Sequence, residues 1–309
     1  MKLQKNNILI SKQKNYLEVP EESLWLANFT STATKQTYSN AVREFLGFHG
    51  MQTLENLRTS SAAHVILWRD QLIKQGASAR TVNNRISALS SLFNHLCEQQ
   101  VINKNPTHGL LRPKVQQSRV ETPVITQSEV RKMLDAPGTE SFKGLRDTAI
   151  LYTFFYTGCR RSEICRLKVS DLLMDNGYFV IDFTIKGGKK NRVAVHQELQ
   201  LVLQEYIDQA EHTTDTKAPL FTAIRLNENK PLSPQAINQL FRKYAKKTGL
   251  PDNITPHSAR ATFITQALEN NCPLEAVQTS VCHSDISTTR MYDKRERTYK
   301  DSASFAVRF

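Results

Sequence analysis

The chain has 309 residues, enough for two domains that each bury a core. Its 41 Lys and Arg against 29 Asp and Glu give a formal charge of +12 and a pI near 9.5, which points to a polyanionic partner, nucleic acid before an acidic membrane. Five cysteines without a C-x-x-C pair or a Cys/His zinc spacing exclude a disulfide scaffold and a zinc ribbon.

These cysteines read as thiols of a reducing cytoplasm. The apolar run Ile8–Ile10 is too short for a signal peptide, and the longest apolar stretch, Ala149 to Tyr156, is far below the roughly 20 residues of a membrane span. A soluble, cytoplasmic protein is expected. Residues 1–118 carry 14 basic and 7 acidic side chains, so the N-terminal part reads as a binder of the phosphate backbone.

Residues 1–20 are polar and aperiodic, and predict a loose arm. A short helix around Ser23 to Leu26 follows, then one with Tyr38, Ala41, Val42, Phe45 and Leu46 at helical spacing. A third helix is predicted from about Ser61 to Lys74, with Val65, Trp68, Leu72 and Ile73 inward. The fourth, from Ser78 to about Gln99, buries Val82, Ile86, Leu89, Phe93 and Leu96. Its other face carries Arg80, Asn83, Asn84, Ser87 and Ser91. That face is either ordinary solvated surface or a set of groups that reach bases and phosphates. Together, residues 21–111 predict a helical bundle. Residues 112–123, with prolines at both ends and basic character between them, predict an extended linker to a second domain over 124–309.

In that second domain Thr126-Gln-Ser-Glu129 is a capping box, and a buried helix from Leu145 to Tyr156 breaks at Gly158. Tyr178 to Ile185 alternates and Arg192 to Val195 returns, which predicts a β-hairpin whose tip holds Lys186, Lys189 and Lys190. Helices are expected over Leu199 to Ile207, from Ser233-Pro234 to a stop at Gly249, and from Ser258 to Asn270, with another opening after Pro273. The expected fold is mainly α with a small antiparallel sheet.

The stretch from Thr255 to Lys294 holds His257 and Arg260 as His-x-x-Arg, a second histidine at 283 and a tyrosine at 292. Alone, His-x-x-Arg is more often a capped helix start, and Met291-Tyr292 more often a helix-edge anchor. As a set they suit a phosphodiester. A guanidinium grips phosphate oxygens, histidines donate hydrogen bonds or move protons, and a tyrosine hydroxyl attacks phosphorus. Upstream, Thr157-Gly-Cys-Arg160-Arg-Ser-Glu163 adds an arginine just past an apolar helix, with Arg161 as its neighbour and rival.

Arg160, Lys186, His257, Arg260, His283 and Tyr292, in that order and in those local frames, resemble the tyrosine recombinase family of phage-type integrases and Xer-type recombinases. The resemblance covers the chain from about residue 22. It implies a two-lobed DNA clamp, with a core-binding domain ending in the fourth helix and a catalytic domain behind it. It also implies that Tyr292 attacks the scissile phosphate to give a 3′-phosphotyrosyl bond, without ATP, metal or other cofactor. Arg160, Arg260 and His283 then stabilise the phosphorane, His257 accepts a proton, and Glu163 positions its surroundings. A hairpin lysine protonates the leaving 5′ oxygen; Lys186 is the first candidate, and Lys189 is the alternative because Lys186 precedes Arg192 by six residues where the family has five. Lys189, Lys190 and Arg192 are further DNA contacts, beside Arg80, Asn83, Asn84 and Ser87.

The implied partner is double-stranded DNA at specific sites on the bacterial nucleoid, held by a homotetramer on two sites. The C-terminal tail, with Phe305 and Phe309, docks either on a neighbouring protomer or on its own core. Two departures stand out. Cys282 occupies a family glycine position, which predicts an altered turn at His283, and Ser258-Ala259 replace Asp-Leu inside His-x-x-Arg. Other readings of the same residues are a type IB topoisomerase or telomere resolvase, and a DNA-binding protein with a dead catalytic lobe.

Overall fold

A computed structural model describes residues 21–115, 122–185, 187–224 and 230–293. The arm 1–20, the middle of the linker, Lys186 and the tail from 294, with Phe305 and Phe309, lie outside the described residues. The chain divides into two compact units at Gln117 and Ser118.

In the N-terminal unit, α1 (Glu21–Ala27), α2 (Thr32–Phe48), α3 (Ala62–Lys74) and α4 (Ala79–Glu98) enclose one core. Short polar caps set the starts: Ser31 and Ser78 accept from the backbone N–H groups of Thr34 and Thr81. Phe45, Val82, Ile86, Leu89, Phe93 and Leu96 are fully buried, and Trp68 is 2% exposed, with its ring edge-on to Phe45. Trp25 turns its indole N–H to Ser91 at 3.1 Å, so the Ser91 hydroxyl oxygen serves as an acceptor for the core. Ile73, expected inward, is 47% exposed. Val65, Trp68 and Leu72 define the buried stripe, and Ile73 lies about 100° around the helix from it.

The C-terminal unit is built around α6 (Phe142–Thr157), which follows α5 (Gln127–Asp135) and precedes the single turn α7 (Arg161–Ile164). A three-stranded antiparallel sheet comes next, β1 (Leu172–Asp175), β2 (Tyr178–Thr184) and β3 (Lys190–Ala194), in the order β1-β2-β3. Then α8 (Gln197–Gln209), α9 (Pro234–Lys247), α10 (Pro256–Glu269), α11 (Leu274–Val281) and α12 (Ile286–Arg290) complete the unit. Mainly helical with one small antiparallel sheet, this is the fold class expected. Strand β1 was not. Its four residues carry no alternation, and it is placed by pairing Leu172 with Ile181 and Asp175 with Tyr178.

Helix α10 starts two residues earlier than its apolar pattern suggests. Pro256 occupies the first helical turn, and Thr255 and Ser258 satisfy the free N-terminal groups as a reciprocal box. His257 therefore sits in the first turn of the helix, not before it.

One buried polar network fixes α6 against α9. Arg146 donates to Asp147 Oδ1 and, at 2.8 Å, to the Thr222 carbonyl, while the Tyr244 hydroxyl donates to Asp147 Oδ2 at 2.7 Å. Arg146 and Asp147 are 7% and 2% exposed, so each depends on these partners. Tyr244→Phe leaves one carboxylate oxygen buried without its donor, and should lower unfolding stability in urea by about 1–3 kcal/mol.

Candidate active site

Helix α6 ends at Gly158, whose φ of +60° is left-handed. A Cβ there would lie 2.6 Å from the Phe263 ring, so two independent constraints demand glycine. The turn presents the Gly158 carbonyl outward and starts α7 at Arg160. Glu163, 5% exposed, accepts from the Arg160 backbone N–H at 2.7 Å and from its Nη1 at 2.8 Å. Arg160 Nη2 donates to the Cys282 carbonyl at 2.8 Å, across the site.

Arg260, one turn into α10 and 5% exposed, is held the same way. Its Nη1 donates to the Gly158 carbonyl at 2.6 Å and its Nη2 to the Val281 carbonyl at 2.5 Å. Both guanidiniums are thus seated on carbonyls left free at the C-terminal ends of α6 and α11, where the helix dipole is negative. Burial and the neighbouring Arg160 lower the Arg260 pKa to about 10, against the pull of Glu163.

Helix α11 ends at Cys282, whose φ of 53° and ψ of 51° are left-handed. A glycine takes this conformation without strain; here cysteine takes it, and its carbonyl holds Arg160. His283 follows, with its backbone fixed at both ends by Gln278 and its Nδ1 2.9 Å from Thr289 Oγ1. Burial, then Arg260 and Arg160, push its pKa down to about 4. His257 stays in contact with solvent, yet crowding by the protein around it lowers its pKa, and Arg260, Arg161 and Arg160 add to the effect.

Tyr292 stands just past α12, with its N–H on the Thr289 carbonyl at 3.0 Å and its ring against Ile264, Leu268, Val277 and Val281. That apolar contact raises its pKa, and Arg260 is close enough to act in the opposite direction. The structure therefore brings Arg160, Glu163, His257, Arg260, His283 and Tyr292 into one electrostatically coupled site. Lys186 lies outside the described residues.

The hairpin is tied to this site by Asn191, which donates to the Ser280 carbonyl on α11 at 2.9 Å. Lys189 is exposed. Lys190 pairs with Asp171 at 2.5 Å, and Arg192 forks onto Asp182 at 2.8 and 2.9 Å while reaching Asp175 at 2.7 Å. Arg192 thus laces β1, β2 and β3 together. On α4, Arg80 and Asn84 are exposed, whereas Asn83 donates to the Pro113 carbonyl and Ser87 accepts from Arg112. The start of the linker lies over that half of the face. Thr289, Asn191 and Gln278 make hydrogen bonds around the site that the motifs do not mark. Each acts across the turn or between elements, where periodicity carries no signal.

Residues 123–298 match the Phage integrase family, and residues 21–100 match its N-terminal SAM-like domain. Tyrosine recombinase XerD of Listeria innocua is 32% identical over 220 residues, covering 71% of this chain and 73% of that protein. Tyrosine recombinase XerC of Thermodesulfovibrio yellowstonii is 30% identical over 268 residues, covering 85% of each. A crystal structure of XerH site-specific recombinase bound to palindromic difH substrate, a post-cleavage complex, shares the fold, with a TM-score of 0.68 at 20% identity over 84% of this chain and 76% of that one. The chain belongs to the tyrosine recombinases of the Phage integrase family.

Two substitutions at the helix ends should have opposite effects on stability. Gly158→Ala adds a clash to a left-handed strain of about 1–2 kcal/mol, and should shift thermal unfolding down by more than that strain alone. Cys282→Gly relieves a similar strain but gives up about 0.5–1 kcal/mol of chain entropy, so a net gain of up to about 1.5 kcal/mol is expected.

A second prediction concerns pH. The folded pKa of His283 is about 4, below the ordinary 6.5, so the unfolded chain binds the proton first as pH falls. Its contribution leaves stability intact above about 6.5 and erodes it as pH drops towards about 4. Urea midpoints across this window should show a shallower loss for His283→Gln than for the wild type.

Proposed function

We propose that this chain is a site-specific DNA recombinase that cuts and rejoins strands through a 3′-phosphotyrosyl intermediate, with Tyr292 as nucleophile. The observation that carries the reading is the crowding of Arg160 and Arg260. Burial first, and then the fixed guanidiniums beside them, lower the pKa of Arg260 and of both histidines, with Glu163 as the nearby acid. Such a site is electrostatically incomplete until an anion enters, and a phosphodiester supplies two non-bridging oxygens to accept from the donors the guanidiniums have left.

In the step we assign, Tyr292 Oη bonds to phosphorus and the bond from phosphorus to the 5′ oxygen breaks. The phenolic proton passes to His257, whose lowered pKa keeps it neutral and able to accept. The two arginines and His283 stabilise the charge that builds on the non-bridging oxygens. A hairpin lysine returns a proton to the leaving 5′ oxygen; Lys186 and the exposed Lys189 are the candidates. The ester conserves bond energy, so attack by a 5′-hydroxyl reverses the step and rejoins the strand.

Arg80 and Asn84 on α4 remain open for DNA, with Lys189 at the hairpin tip. Asn83, Ser87, Lys190 and Arg192 would reach DNA only by giving up the partners described above. A homotetramer on two DNA sites is the expected assembly. A cavity of about 460 Å³ lined by Phe155, Tyr156, Phe263 and Ala267 suits an aromatic side chain such as Phe305 or Phe309, supplied by the same chain or by a neighbour.

The test is covalent trapping on a nicked duplex carrying the recognition site. The wild type should form a protein–DNA adduct at the 3′ phosphate with EDTA present, and Tyr292→Phe should form none. A protein that binds the same duplex tightly without forming an adduct would contradict the assignment. A substrate with sulfur at the 5′ bridging position needs no proton donor, and should restore cleavage to whichever of Lys186→Ala and Lys189→Ala removes the general acid.

A further inference from the structure

His283 and Tyr292 are separated by nine residues, and α12 closes the gap between them. Asp285 caps that helix by accepting from the Ser287 N–H at 2.8 Å. Thr289, on the third turn position before the tyrosine, is fully buried and touches both reacting residues: its carbonyl accepts the Tyr292 N–H, and its hydroxyl meets His283 Nδ1 at 2.9 Å.

Which of the two atoms carries the proton follows from the surroundings. Elsewhere in this unit, four helical hydroxyls, those of Thr153, Thr157, Thr279 and Ser280, spend their proton on the carbonyl four residues back at 2.6–2.9 Å. Those of buried Thr148 and Thr265 have no partner among the described residues. Thr289 makes no such bond among the described residues; its hydroxyl partner there is His283. If Nδ1 carried the proton and donated it to Thr289, the buried threonine proton would have no acceptor of its own, an arrangement that costs roughly 1–3 kcal/mol by the general rule for unpaired buried polar groups. With the threonine donating, both groups are satisfied.

We propose that Thr289 is a positioning residue that holds His283 in the tautomer with its proton on Nε2, the nitrogen left to face a phosphate oxygen. A neutral imidazole has one N–H to give, so the wrong tautomer would present a lone pair to an anion instead of a donor. The same residue fixes the backbone of the nucleophile, so it sets donor and nucleophile from one point. This proposal rests on the reading of His283 as a phosphate donor.

The test uses the full chain and two variants. Thr289→Val keeps the shape and removes the hydroxyl, while Thr289→Ser keeps the hydroxyl. Nitrogen chemical shifts of the His283 ring at pH 7, without DNA, read the tautomer directly. The wild type and Thr289→Ser should show the Nε2–H form, and Thr289→Val a mixture. On the nicked duplex, Thr289→Val should form adduct slower by on the order of 100-fold with DNA binding kept, and Thr289→Ser should restore most of the rate.

An Nδ1–H ring in the wild type would overturn the proposal, and so would a Thr289→Val enzyme with the wild-type tautomer and rate. The wild-type spectrum needs no variant, so poor folding of Thr289→Val leaves the proposal open to refutation. Absence of adduct from the wild type would count against the recombinase chemistry, and the tautomer spectrum would still decide the link between Thr289 and His283.

Discussion

Carbonyl groups left free at two helix ends hold the two arginines on which the site depends. An α-helix cannot satisfy its last carbonyls internally, and its C-terminus carries partial negative charge. Here α6 offers Gly158, and α11 offers Val281 and Cys282. Arg260 bridges the two helices, and Arg160 crosses from α7 to α11. Each arginine spends part of its fork on the fold and keeps its remaining donors for a ligand. Preorganised donors of this kind need no rearrangement when charge develops on a phosphate, which is where electrostatic catalysis gains most.

The same arrangement explains the pKa pattern. Burial, reinforced by two cations fixed side by side with Glu163 as the nearby carboxylate, disfavours further positive charge, so His283 and His257 are held neutral. Tyr292, resting on an apolar patch, is held protonated. DNA changes both conditions together. On the proposed reading, a phosphate would offset the positive field around the histidines, beside an Arg260 that already opposes the effect of burial on the tyrosine. The resting site is therefore quiet for the same reasons that make it competent once occupied.

Much of this was legible in the sequence where one local rule dominates. The stripe of α4, the capping box at Thr126 and the hairpin each follow from spacing within a few residues, whereas the Thr157-Gly158-Cys159-Arg160 frame is read from the family resemblance. What sequence reading missed depends on distant partners. Strand β1 exists because β2 pairs with it. Ile73 lies off the stripe of Val65, Trp68 and Leu72 and faces out. Lys190 and Arg192 look like free cations until Asp171, Asp175 and Asp182 are brought beside them by the sheet. Asn83 and Ser87 look like a recognition face until residues 112 and 113 fold back over them. Thr289 sits in a helix of five residues, too short for any periodicity to mark its inward side.

The most direct test of the account reads the Arg260 guanidinium by nitrogen-resolved NMR in the DNA-free protein, with its signals assigned by their loss in Arg260→Lys. Two carbonyl bonds from different helices should stop rotation of the group and give separate resonances for its Nη protons. One averaged Nη signal would mean that the guanidinium turns freely before DNA arrives, and would contradict the claim that the helix ends preorganise the site.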